Sequence, residues 1–224
     1  MSKLKFKIIH PGFLRRSALL LTLIVIIFIN PFLDEIQGGR LISSVLVFTT
    51  IASAFAEMFS QRMVIWFAVV VVVLSLIIEV LSWTYDNAFF MGVIYLRNSV
   101  VYGIFALILF YYMLKIQPLS FSEIGNAISI YLLAGLSFGY VYSFFAQYHP
   151  MAFSHPAGME NKIPFDMIYY SFITLTTTGY GDIQPLMRVP RLLSIIETIF
   201  GTFYIAVIIG RLVGLAYQKN PSPD

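Results

Sequence analysis

Hydrophobic residues along the chain fall into six long blocks, roughly Ser17–Leu33, Leu41–Met58, Met63–Trp83, Asn98–Leu114, Ile124–Tyr148 and Val189–Tyr217. Each is of the order needed to cross ~30 Å of hydrocarbon as a helix. The first five end at polar punctuation: Asn30-Pro31 with Asp34-Glu35, Ser60-Gln61-Arg62, Asp86-Asn87, Lys115 to Pro118, and His149-Pro150. Loops this short make neighbouring helices antiparallel and leave no room for a soluble domain between them. A shorter apolar segment, Pro164 to Thr174, opens with a proline suited to a first helical turn and with Asp166, an acid that favours the positive end of a helix. At about a dozen residues it cannot span the membrane, so the chain is expected to dip in and return on the same side. The expected fold is all-α and membrane-integral, with six transmembrane helices and a re-entrant helix between the fifth and sixth.

Composition agrees with that pattern: 59% hydrophobic and 11% charged residues, with a mean hydropathy of +0.85, are far outside the range of soluble domains. The absence of cysteine excludes a disulfide framework and a thiolate metal site. The net charge of +3 is small, and its excess lies in Lys3, Lys5, Lys7, Arg15 and Arg16, which read as a cytoplasmic anchor rather than a nucleic-acid patch. No small-x-small cleavage site precedes Asn30-Pro31, so the first block is expected to stay as a span. With the N-terminus inside, Arg62, Lys115 and Lys219 also fall inside, while Arg40, Arg97, Lys162, Arg188 and Arg191 fall outside or at the outer boundary. That bias predicts a multi-pass protein of the cell membrane with both termini cytoplasmic and the short segment entering from outside.

The stretch after the short segment is the most unusual in the chain: Thr174-Leu175-Thr176-Thr177-Thr178-Gly179-Tyr180-Gly181-Asp182-Ile183-Gln184-Pro185. Gly179 and Gly181 can take backbone angles closed to other residues, which lets successive carbonyls turn to one side instead of alternating as in a β-strand. Non-helical backbone at membrane depth is tolerated only where it is buried in protein or lines a watery cavity. Thr177-Thr178-Gly179-Tyr180-Gly181 followed by Asp182 resembles the selectivity filter of tetrameric potassium channels, whose motif reads Thr-Val-Gly-Tyr-Gly, with Thr178 in place of valine. The last hundred residues then resemble the two-helix pore module of prokaryotic-type channels: outer helix, pore helix, filter strand, inner helix. The likeness continues in Arg191, Glu197, Gly201, Tyr204, Ala206 to Ile209 and Arg211 to Gly214.

The resemblance implies K+ as the permeant ion, held by the carbonyls of Thr177, Thr178, Gly179 and Tyr180 with the Thr177 hydroxyl at the inner end. It implies a homotetramer, each chain supplying a quarter of every oxygen ring. Tyr169 and Tyr170 stand where the family often has two tryptophans and are expected to form an aromatic cuff around the filter, with the Tyr169 hydroxyl donating to Asp182. Gly201 stands at the family's hinge position, which would put Thr202, Ile205 and Ile209 on or near the cavity wall; close helix approach is the equal alternative for Gly201, Gly210 and Gly214. The domain division is a basic cytoplasmic segment 1–16, a four-helix membrane domain 17–115, a pore domain 116–218 and a short cytoplasmic tail 219–224 with no ligand-binding domain.

Voltage sensing needs several arginines at three-residue intervals, because each charge contributes only ~2.3 kcal/mol per 100 mV. The fourth block has none between Asn98 and Leu114, only Arg97 at its expected outer end and Lys115 at its inner end, so conventional voltage gating is not expected. Glu79 lies inside the third block, where a structural pair with Arg97 competes with a proton-sensing role, and Glu57 is expected to reach water or Arg62. His149 and His155 lie in an outer loop with Glu160 and Lys162, where pH sensing is one reading and inert exposure another. No nucleophile–base pair, metal cluster or phosphate loop appears, so an enzyme is not expected and no cofactor is called for. A weakly selective cation pore and a non-conducting scaffold or regulatory subunit stand beside the K+-channel reading. The gating stimulus is not legible.

Overall fold

The computed structural model describes residues 11–33, 88–115, 121–154 and 163–219, together with positions 42, 45–50, 53, 73, 77, 78 and 80–82. Five helices and one short ladder are described: α1 (Pro11–Leu33), α2 (Ala88–Lys115), α3 (Phe121–Tyr148), β1 (Phe153–Ser154), α4 (Phe165–Leu175), β2 (Gln184–Pro185) and α5 (Arg188–Lys219). Among the described residues three helical stretches are long and apolar enough to cross a membrane: Ala88–Leu114, Ile124–Tyr148 and Arg188–Arg211. A shorter apolar stretch, Ala18–Ile29, lies in α1. The second and third sequence blocks fall largely outside the described residues, as do Glu57, Glu79, His155, Glu160 and Lys162.

One boundary differs from the sequence reading in a way that matters. The fourth block was expected from Asn98, but α2 begins at Ala88. Arg97 is therefore not at the helix end; it lies about 14 Å inside by the 1.5 Å rise per residue. A charged residue reads as a block boundary, yet this guanidinium is accommodated locally. It donates to Asn98 Oδ1 through Nε (3.1 Å) and Nη2 (2.8 Å), and it lies 6.0 Å from the centre of the Phe48 ring.

The packing centres on α3, which touches all four other helices. On α1, Leu19, Leu23 and Ile26 recur at helical spacing, and all three are buried in the core cluster that α3 shares. The α2–α3 pairing is the most extensive. There Tyr95 and Tyr102 lie against Tyr140 (ring centres 6.3 and 5.7 Å apart), and the Ser137 hydroxyl donates to the Ser99 carbonyl at 2.9 Å. Small residues decide how close α4 comes. A Cβ on Gly139 would lie 2.8 Å from Ile168 Cα, and one on Gly135 would lie 2.6 Å from the Phe172 ring. Gly135 and Gly139, four apart on α3, thus make a groove for Ile168 and Phe172, four apart on α4.

Candidate functional site

Helix α4 is short for physical reasons visible at both ends. Pro164 occupies its N-cap, Asp166 its first turn, and the chain leaves the helix at Thr176, whose amide still reaches the Phe172 carbonyl while that of Thr177 reaches Thr174. The backbone then folds back on that end: the amides of Thr178 and Gly179 both bond the Ile173 carbonyl, at 2.8 and 3.1 Å. From there the chain alternates in hand. Thr177, Gly179 and Gly181 have φ of +58°, +55° and +79°, while Thr178 and Tyr180 between them do not enter the left-handed region.

This alternation is the chemistry of the site. Alternation of hand is the backbone pattern in which N–H groups can gather on one side of a chain and carbonyls on the other. The segment pairs with no neighbouring strand; the one ladder among the described residues is the two-residue pairing of β1 with β2, Phe153 opposite Pro185 and Ser154 opposite Gln184. A strand alternates its carbonyls, so a regular ladder is incompatible with a one-sided row. Glycine takes positive φ without steric cost, but Thr177 is β-branched and does not. Its conformation is held by its neighbours, its amide bonding the Thr174 carbonyl at 3.0 Å. The Thr178 side chain is exposed, its hydroxyl 2.9 Å from that of Thr176, which in turn donates to the Phe172 carbonyl.

Tyr169 and Tyr170, the pair expected in an aromatic cuff, make different contacts within the chain. The Tyr169 hydroxyl donates to Asp182 Oδ2 at 2.7 Å, bridging α4 to the far end of the turn segment. Burial and this bond raise the phenol's pKa to about 12, so it stays a donor. Tyr170 faces the other way, its ring 5.1 Å from Tyr142 and 5.4 Å from Phe153, its hydroxyl 2.7 Å from that of Ser194. Consecutive residues on a helix point about 100° apart, so the two rings meet different neighbours within the chain. Gln184 donates from Nε2 to the Gly181 carbonyl at 2.9 Å.

On α5, Gly201 is buried, and a side chain there would collide with the Leu175 carbonyl at the end of α4. Thr202 is exposed and bonds back to Thr198. Ile205 and Ile209 border an apolar cavity of about 210 Å³ closed by α2 and α3, where Tyr131 donates to the Leu175 carbonyl and Tyr204 to that of Ala127. His149 is exposed. Among the described residues no group of three potential acid, histidine or cysteine metal ligands occurs.

Sequence reasoning assigned no role to Glu197, which is fully buried among Tyr142, Ser171 and the α3–α4 contact. The signal was present: an acid in the middle of an apolar helix is a functional candidate by its cost alone, the same argument that singled out Glu79.

Residues 128–218, which hold this whole site, match the family described as "Ion channel". Among curated proteins, the chain is 33% identical over 98 residues to "Two-pore potassium channel 4" of Arabidopsis thaliana, covering 42% of this chain and 32% of that one. It is 29% identical over 111 residues to "Two-pore potassium channel 5" of the same plant, covering 48% and 25%. It is 33% identical over 94 residues to "Voltage-gated potassium channel regulatory subunit KCNF1" of Rattus norvegicus, covering 42% and 18%. The match therefore spans a third or less of the length of these relatives. No solved structure gives a significant match. The α3-to-α5 part of this membrane protein is similar to ion channels, potassium channels among them.

Proposed function

We propose that the chain forms a K+-selective pore in the cell membrane as a homotetramer, with the carbonyls of Thr177, Thr178, Gly179 and Tyr180 and the Thr177 hydroxyl as the ion ligands. The alternation of backbone hand across Thr177 to Gly181 carries this reading, because it is what a one-sided row of carbonyls requires. An ion shedding its water needs oxygens all round it, and one chain offers them from one side only. Residues 176–182 are all exposed in the single chain, Tyr180 by 72%, as a surface awaiting symmetry mates would be. The C-terminal end of α4 directs its partial negative charge toward the approach to the row, which favours a cation there. Tyr169, Asp182 and Gln184 brace the row from behind and above. The similarity to two-pore potassium channels supports K+ as the ion.

The pore is not conventionally voltage-gated: the described fourth-block helix α2 carries Arg97 as its one arginine, and Lys115 at its end. A second reading, a non-conducting regulatory subunit, is favoured by the similarity to a protein named as one. The test is the reversal potential of purified protein in planar bilayers under a K+ gradient against Na+, beside Gly179→Asp. Reversal near the K+ equilibrium value, lost in the variant, is the expected result. A silent wild type that neither binds K+ nor assembles with itself supports the regulatory reading.

A further inference from the structure

Glu197 lies one turn before Gly201 on α5, and none of its surface is exposed. Its Oε2 is 2.7 Å from the Tyr142 hydroxyl of α3, and its Oε1 is 2.5 Å from the Ser171 hydroxyl of α4. No lysine, arginine or histidine among the described residues is paired with it. The titratable groups that face it are phenols, Tyr131 and Tyr142 from α3 and Tyr170 from α4.

Counting protons across the cluster gives the state of the acid. Ser171 Oγ is 2.5 Å from Glu197 Oε1 and also 2.7 Å from the Gly135 carbonyl oxygen. A hydroxyl owns one proton, and both an ionised carboxylate and a peptide carbonyl only accept. With Glu197 ionised, one of these two short contacts would set acceptor against acceptor. The Gly135 carbonyl has no proton to give, so the missing one belongs to Glu197. The remaining groups are already committed: Ser194 donates to the Pro190 carbonyl at 2.8 Å and accepts from Tyr170, and Tyr142 donates to Oε2. A neutral acid also leaves no unpaired charge in a dry interior.

We infer that Glu197 is held as a neutral carboxylic acid that donates from Oε1 to Ser171, forming a directional chain from α5 through α4 to the Gly135 carbonyl of α3. Glu197 is thereby a positioning residue. It acts through Ser171, one helical turn before Leu175, and fixes α4 against both long helices so that the carbonyl row beginning at Thr177 keeps its place. This functional consequence rests on the proposed pore; the proton itself does not.

The two are therefore tested separately. Infrared spectra of the purified protein in lipid at pH 7 are expected to contain a protonated-carboxyl carbonyl band that Glu197→Gln lacks, and in Ser171→Ala that band moves because the acid has lost its acceptor. An identical spectrum in Glu197→Gln, or an unmoved band in Ser171→Ala, overturns the assignment whether or not the protein conducts. In bilayers, Glu197→Gln keeps a donor and an acceptor in place and is expected to conduct K+ as the wild type does. Glu197→Ala takes the acceptor from the Tyr142 hydroxyl and the donor from Ser171 and loses roughly tenfold or more in K+ current, the scale of an orphaned buried hydroxyl. A Gln variant as impaired as the Ala variant sinks the positioning role.

Discussion

The Tyr169–Asp182 bond ties the end of the segment 177–182 back to the helix that precedes it. Removing the donor with Tyr169→Phe is expected to destabilise the arranged row by about 1 kcal/mol, roughly a fivefold shift toward a collapsed, non-conducting form, measured as faster decay of K+ current. The pH dependence has a definite sign. A phenol raised from 10 to about 12 gives its full stabilisation below pH 10 and loses it as pH climbs through 12. The difference between wild type and Tyr169→Phe should thus be flat from neutral pH to about 10 and vanish only above. At Thr178 the hydroxyl is spent on Thr176. Thr178→Val is expected to keep K+ selectivity, read as an unchanged reversal potential. These residues differ in how legible they were. Gly179 and Gly181 announce positive φ because few other residues tolerate it, whereas Thr177 at +58° gives no sign in its identity. The Tyr169 bond was readable from reach, whereas the contacts of Tyr170 with Tyr142 and Ser194 depend on how α4 lies against its neighbours, which the sequence does not state.

At the scale of elements, small residues on the long helices set where α4 sits. Gly201 meets the Leu175 carbonyl and Gly139 meets Ile168 Cα, so a methyl group at either position must push backbone, not a yielding side chain. Gly201→Ala is expected to cost about 1–3 kcal/mol, the range for overpacking, and to lower the heat-dissociation temperature of the assembly. A purely hinge-like glycine would instead change opening kinetics and leave that temperature alone. The α2–α3 contact carries the opposite opportunity. The Tyr102 hydroxyl is buried without a hydrogen-bond partner, so Tyr102→Phe is expected to raise thermal stability by about 1 kcal/mol in a melting experiment. Helix existence was legible from apolar length for α1, α2, α3 and α5, and the shortness of α4 from Pro164 and the threonine run. The start of α2 was not, because Arg97 looks like an end; what makes it an interior residue is the neighbouring Asn98 carboxamide and the Phe48 ring, neither of which a hydropathy pattern weighs.

For the whole molecule the decisive feature is what the single chain leaves uncovered. Helix α5 exposes Leu192, Ile195, Ile199, Phe203 and Val207 at three- and four-residue spacing, a continuous apolar stripe, while its other side carries Glu197, Gly201 and Tyr204 into the core. Lipid alone could cover such a stripe, but in the proposed pore it could not complete the carbonyls of 177 to 180, whose oxygens would need partners at membrane depth. Ions ringed by four symmetry-related rows would meet that need, and each bound ion would in turn link four chains. Assembly and ion occupancy are therefore coupled, since anything that binds only the assembled form stabilises it by mass action. Purified protein is accordingly expected to run at four times the 25.4 kDa chain mass, and its heat-dissociation temperature to rise with K+ concentration and not with equal Na+. Gly179→Asp, which puts a side chain and a charge where φ is +55°, should remove the K+ dependence even if tetramers persist. Tetramers equally stable in both ions would mean that α5 alone holds the chains together and that the row at Thr177 to Gly181 binds no ion.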